Sequence, residues 1–209
     1  MNQVITDGLN LMPPEFADGL SVWSQEDGTP GTDTYANAAN AALVTADQDF
    51  GTCLEILKTA STTRLRYMGE TPILPGLYLR VSARIKALSG TLPNVRIAGW
   101  AGQANDTNVP GVTQVGPQTT LTSYGEVVTV SAIIGVGTRG GVDMAWGETA
   151  AYGHFGLDLT GGNGATVRIE SIQVEDITHV FYRKLMDWVD VKDFGAAGDG
   201  TTDDTAAFN

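Results

Sequence analysis

Residues 77–86 read Leu77-Tyr78-Leu79-Arg80-Val81-Ser82-Ala83-Arg84-Ile85-Lys86. Leu77, Leu79, Val81, Ala83 and Ile85 fall on one side of an extended chain, and Tyr78, Arg80, Ser82, Arg84 and Lys86 fall on the other. A strict period of two marks a half-buried antiparallel strand, because successive side chains of a strand point to opposite faces. Pro75-Gly76 supplies a turn immediately before it. A strand with one apolar face needs a second layer to cover that face, so this stretch sets a layered β architecture for its surroundings.

Working outward, the same reading places further strands at 52–57, 63–67, 95–101, 126–135, 154–159 and 166–176. In the last of these Val167 and Ile169 share one phase while Ile172 and Val174 take the other, which calls for a β-bulge near Ser171. Gly-rich breaks separate the strands at 135–141 and 161–164. The best helical stretch, 35–46, is Ala-rich but carries no apolar stripe beyond Leu43 and Val44. Residues 23–178 are therefore expected to form an all-β, antiparallel β-sandwich. Pro13 and Pro14 prevent a long helix before it, so 1–22 reads as an extended N-terminal arm.

Composition removes several function classes. The 209 residues include 24 acidic and 12 basic ones, a formal net charge of −12. That balance argues against nucleic acid and against anionic membranes, both of which need a basic surface. One cysteine, Cys53, cannot make an intramolecular disulfide, and it reads as a small residue near the core. With only His154 and His179 besides, no metal site rich in Cys or His is expected. No stretch reaches the roughly 18–20 apolar residues of a membrane span. The first residues lack the basic and apolar regions of a secretory signal, so synthesis in a cytoplasm without export by that route is expected. Gly-x-Ser-x-Gly, His-Glu-x-x-His and phosphate-loop patterns are absent, and no catalytic residue or cofactor is assigned.

The charges are unevenly placed. Nine acidic residues and no basic one precede Lys58. From Lys58 to Arg96 there are seven basic residues (Lys58, Arg64, Arg66, Arg80, Arg84, Lys86, Arg96) against Glu70 alone. The bland reading is a solvated sheet face. The sharper one is a contact surface for an acidic partner, either a neighbouring subunit or an anionic glycan. Tyr78 shares the Arg80 and Arg84 face, and Trp100 shares the Arg96 face. An aromatic ring beside arginine suits a sugar ring, so these five residues are the binding candidates.

Two resemblances add to this. Trp23-Ser24, Asp27-Gly28, the run Leu74-Pro75-Gly76-Leu77-Tyr78 and the closing strand Val167-Arg168-Ile169-Glu170-Ser171-Ile172-Gln173-Val174-Glu175 make residues 23–178 resemble a jelly-roll carbohydrate-binding module. Near the end stands Val189-Asp190-Val191-Lys192-Asp193-Phe194-Gly195-Ala196-Ala197-Gly198-Asp199-Gly200-Thr201-Thr202-Asp203-Asp204-Thr205-Ala206-Ala207-Phe208. It resembles the entry segment of the pectate-lyase-type right-handed parallel β-helix of phage tailspikes and polysaccharide depolymerases. That likeness implies that 189–209 starts a β-helix, that further coils follow, and that three chains assemble about one axis. The acidic cluster Asp199, Asp203 and Asp204 is then a structural cap rather than a metal site.

Residues 179–188 read as a linker or short helix. Phe181, Leu185 and Trp188 lie near helical spacing and, with Phe194, are the trimer-contact candidates. The function implied is a virion structural protein: the attachment and spacer part of a homotrimeric tail or head spike or fibre, of a phage or a gene transfer agent. It would be held to other virion proteins by its arm and would face host surface polysaccharide. The alternatives are a carbohydrate-binding module of a bacterial β-helix enzyme, and a stand-alone glycan-binding module.

Overall fold

The structure is a computed structural model that describes residues 13–28, 33–136, 140–179 and 196–208. The chain divides into two compact units, residues 1–177 and 178–209. Among the described residues the first carries twelve strands: β1 (Trp23–Ser24), β2 (Ala41–Asp47), β3 (Gly51–Leu57), β4 (Thr62–Tyr67), β5 (Thr71–Pro72), β6 (Tyr78–Ser89), β7 (Asn94–Gly102), β8 (Thr119–Thr120), β9 (Val128–Val136), β10 (Met144–Trp146), β11 (Tyr152–Thr160) and β12 (Thr166–Asp176). One sheet runs β10-β9-β6-β12-β3-β2. The other runs β1-β4-β11-β7-β8, with β5 beside β11. All pairs are antiparallel except β10 on β9. This is the expected all-β sandwich.

The alternation in β6 does what its pattern requires. Leu79, Val81, Ala83 and Ile85 are buried in the core, which they share with Ile97 of β7, Val130 of β9 and Val174 of β12. The phase change in β12 is met by a register shift between Ile169 and Ile172 against β6, so both halves of the strand turn their apolar residues inward.

Two stretches differ from the sequence reading. In 35–46, only Tyr35–Asn37 makes a 3₁₀ turn, after which β2 pairs along β3 with Leu43 opposite Leu54. A helix there would have had no apolar stripe to bury, whereas the ladder gives its backbone partners at once. The later part of the arm is not extended either. Phe16 sits in a 3₁₀ turn, is buried, and packs on Trp23 with ring centroids 4.7 Å apart. Residues 1–12 lie outside the described residues.

Lys58 joins the two sheets at one end. Its ammonium is fully buried and donates to the carbonyls of Ala60 (2.6 Å), Ser61 (3.4 Å) and Gly161 (2.8 Å) and to Oδ1 of Asn163 (3.0 Å). Every one of these acceptors is a neutral oxygen. Burial therefore pushes the ammonium below the usual lysine range. The acceptors lie in the turn that leaves β3 and the turn that leaves β11, which the ammonium ties together.

In the second unit the acidic side chains accept hydrogen bonds from nearby backbone. Asp204 accepts the N–H groups of Ala197 and Gly198, and Asp199 accepts those of Thr201 and Thr202. Asp203 accepts the N–H of Thr205, where a 3₁₀ turn, Thr205–Phe208, begins. The backbone donors hold the carboxyl groups of Asp199 and Asp204 below the ordinary range, and the Thr205 hydroxyl and N–H do so for Asp203. Among the described residues no group of three or more His, Cys, Asp or Glu is placed to hold a metal ion. Phe181, Leu185, Trp188 and Phe194 lie outside the described residues.

Two substitutions test this architecture. Val81→Asp puts a carboxylate at a fully buried core position and is expected to abolish soluble expression. Lys58→Met keeps the side-chain length but strips the donor from the carbonyls it ties. It is expected to lower stability by about 2–3 kcal/mol in chemical denaturation, without changing the far-ultraviolet circular dichroism.

Candidate functional site

The five sequence candidates do not converge. Tyr78, Arg80 and Arg84 belong to β6, and Arg96 and Trp100 to β7 in the other sheet. Since β6 and β7 both turn apolar residues inward to one core, the outward residues lie on opposite exterior faces. Tyr78 is not available as a platform. It is buried, and its ring occupies the space left by the missing side chain of Gly135, its partner on β9. A Cβ at Gly135 would stand 2.7 Å from that ring.

The basic segment also proves to be neutralised from within. On the β6 face Arg80 pairs with Glu175 at 3.4 Å, and Arg84 pairs with Glu170 at 2.7 Å. Lys86 is buried, bonded to Asp47 and Asp49 and set 4.9 Å from the Phe50 ring centroid. Arg168 completes the group through Asp47 and Glu55. Burial would raise the Asp47 carboxyl, but the hydrogen bonds from Lys86 and Arg168 win and hold it far below the usual range. Cys53 is buried among these charges. Burial pushes its thiol up and makes it a poor nucleophile.

The opposite face is built differently. On β11, Phe155, Leu157 and Leu159 enter the core, which leaves Tyr152, His154, Gly156, Asp158 and Thr160 facing outward. Their partners on β7 are Gly102, Trp100, Ala98, Arg96 and Asn94. Asp158 stands between Arg66 (2.7 Å) and Arg96 (3.1 Å), and Asp27 stands between Arg66 (2.9 Å) and Arg64 (3.0 Å). Arg66 and Asp158 are both buried, and the guanidinium also reaches the carbonyls of Leu65 and Leu157.

At the other end of this face three rings gather. Trp100 is partly exposed and stacks on His154 with centroids 5.3 Å apart and planes 26° from parallel. Tyr152 stands 5.9 Å from Trp100. Gly102 lies between these rings, where a Cβ would come within 2.4 Å of Tyr152 and 2.7 Å of Trp100, so only glycine leaves room for both. His154 is buried and its Nδ1–H donates to the Gly28 carbonyl (2.8 Å). That bond fixes the ring plane, while burial lowers the imidazole below the ordinary histidine range and keeps it neutral at pH 7. The Tyr152 hydroxyl donates to Asp106 (3.0 Å). Burial first, and then Asp106, push that phenol up to about 12.

A partly exposed indole, braced by two buried rings of the neighbouring strand and with a carboxylate close by, is an arrangement that can stack on a flat ligand face and accept hydrogen bonds from its edge. Of the sequence candidates, Trp100 and Arg96 belong to this face. Tyr152, His154, Asp158, Arg66, Asp27 and Asp106 were not singled out. The polar phase of 152–160 and the pair Arg64/Arg66 at period two were signals for four of them. Asp27 figures only in the likeness to a carbohydrate-binding module, and nothing local marks Asp106; both arrive from loops.

No family model matches the sequence, and no curated protein matches it. Solved structures share the fold. A Clostridium thermocellum xylanase fragment, a family 22 carbohydrate-binding module with its catalytic module complexed with xylohexaose, aligns at TM-score 0.55 and 11% identity. The alignment covers 80% of this chain and 28% of that one. The C-terminal family 22 module of the same organism's xylanase aligns at TM-score 0.51 and 10% identity, over 78% of this chain and 89% of that one. The enzymatically active domain of a tailspike protein of bacteriophage CBA120 aligns at TM-score 0.42 and 10% identity, over 66% of this chain and 20% of that one, a level from which nothing is argued. The described strands of the first unit thus share the β-sandwich fold of carbohydrate-binding modules.

Proposed function

We propose that this chain is a non-catalytic glycan-binding sandwich in the attachment and spacer region of a trimeric phage or phage-like spike or fibre, where it contacts host surface polysaccharide. The observation that carries the glycan part is the partly exposed Trp100 ring beside the buried Tyr152 and His154 on the outer side of the second sheet. Sugar rings offer flat C–H faces to such a ring and hydroxyls to the groups around it. The fold shared with carbohydrate-binding modules supports the same reading. The spike part rests on the resemblance of 189–208 to a β-helix entry segment. The lyase or hydrolase chemistry of a depolymerase would then lie on the coils of the β-helix and not on the sandwich.

A second reading is favoured by one feature of the first neighbour, in which a sandwich of this fold stands beside a catalytic module. In that reading the chain is the binding module of a bacterial polysaccharide-degrading β-helix enzyme. Oligomeric state separates the two, since a spike needs three chains and an enzyme module does not.

Titration of the whole chain against neutral and acidic oligosaccharides is expected to give saturable binding by calorimetry without release of cleaved product. Trp100→Ala is expected to weaken that binding about tenfold, since an aromatic contact contributes about 1.5 kcal/mol. Unchanged affinity in Trp100→Ala removes this face from the proposal. For assembly, light scattering of a chain ending at Thr178 is expected to show monomers where the whole chain is trimeric. A shortened chain that remains trimeric overturns the assignment of assembly to 179–209.

A further inference from the structure

Asp106 is the one non-glycine residue with a positive φ, +62°, among the described residues. It lies in the turn after β7, where its N–H donates to the Gln103 carbonyl (3.0 Å) and the Gln103 N–H donates to Thr107 (2.9 Å). Glycine takes this backbone region without strain and asparagine takes it more readily than most residues. Aspartate suits this backbone region as asparagine does, so the turn fixes the position without deciding between a charged and a neutral side chain, and the carboxylate is explained by what it bonds. Its Oδ1 accepts the Tyr152 hydroxyl at 3.0 Å, and Tyr152 flanks Trp100.

This hydrogen bond fixes which kind of partner the aromatic end can take. A phenol has one proton and two lone pairs, and here the proton is committed to Asp106. What the hydroxyl still offers is acceptor capacity. The Asp106 carboxylate is exposed and accepts only. Glu70 adds a further negative charge, close enough to act on both Tyr152 and His154. The arginines of this sheet do not balance that end, because Arg64, Arg66 and Arg96 are bound by Asp27 and Asp158. Arg96 itself lies four residues along β7 from Trp100.

We infer that Asp106 is a specificity-determining residue: with Tyr152 and Glu70 it makes the aromatic end of the face negatively charged and rich in acceptors, so that hydroxyl-donating neutral sugars are selected over uronate-bearing or sulfated ones. This rests on the glycan-binding reading above, and it reverses the expectation of an anionic glycan drawn from the basic segment. A uronate or sulfate group brought to this end meets the like charges of Asp106 and Glu70, whereas a sugar hydroxyl donates to the Asp106 carboxylate.

The test is a discrimination ratio. The whole chain, Asp106→Asn and Asp106→Gly are titrated against a panel of matched probes, among them β-1,4-galactotriose with trigalacturonate and xylohexaose with its glucuronate-substituted form. The unaltered chain is expected to prefer the neutral member of each pair. Asp106→Asn keeps an acceptor for Tyr152 and a side chain suited to positive φ, but adds a donor and removes the charge. It is expected to bind the neutral probe more weakly and to narrow the neutral-to-acidic ratio about tenfold, the size of one charged hydrogen bond. Asp106→Gly suits the same backbone and is expected to narrow the ratio likewise, while its thermal midpoint stays near that of the unaltered chain. A ratio unchanged in both variants, or an initial preference for the acidic probes, overturns the inference and leaves glycan binding standing. No binding of any probe by the unaltered chain overturns both.

Discussion

The Arg66 guanidinium is the contact on which the outer half of the second sheet depends. Its donors reach Asp27, Asp158 and the carbonyls of Leu65 and Leu157, so one side chain holds a loop, its own strand and the neighbouring strand in a fixed relation. Removing it would leave Asp158 with Arg96 alone and Asp27 with Arg64 alone. Truncating one member of a buried ion pair is costly because the remaining charge keeps its desolvation penalty. The Asp27–Gly28 loop that Arg66 holds is also the loop whose carbonyl orients His154. The aromatic end of the face is thus tied to the charged end through two adjacent residues of one loop.

The same chain uses three ways to keep a buried cation. Arg66 is satisfied by carboxylates and carbonyls together. Lys86 is held by carboxylates and an aromatic ring. Lys58 has neutral oxygens alone. Together with the surface pairs of Arg80 and Arg84, these account for a stretch that looks strongly basic in the sequence yet presents little unbalanced positive charge. Net charge along a sequence segment predicts a surface potential only where the segment's charges lack partners from elsewhere. Here the acidic residues that precede Lys58, Asp27, Asp47 and Asp49 among them, fold back onto the basic ones.

That difference marks what was legible. The strand at 77–86, the bulge in β12 and the core positions follow from periodicity, a local property that survives in any sandwich. The face with Trp100 was half legible: Trp100 and Arg96 show their shared phase within one strand, but pairing of β7 with β11 brings residues some sixty positions apart into contact, and no local pattern announces it. Tyr78 illustrates the opposite failure. Its phase is that of a surface residue, and only the glycine opposite it on β9 lets the ring fold down and be covered. β2 was hidden for another reason, since its alanines carry little strand signal and its pairing with β3 decides its state.

β2 is the outermost strand of its sheet, and it has no charged residue before Asp47. A long, even, uncharged border of that kind invites a second molecule to add a strand and then a third, the route to insoluble polymer. The ladder between β2 and β3 breaks register between Val44 and Asp47, and Asp47 turns inward to Lys86 and Arg168. The border is therefore bent after four regular pairs, too short a template for open-ended stacking. The ion cluster that neutralises the outer face also serves, through Asp47, to keep concentrated molecules apart.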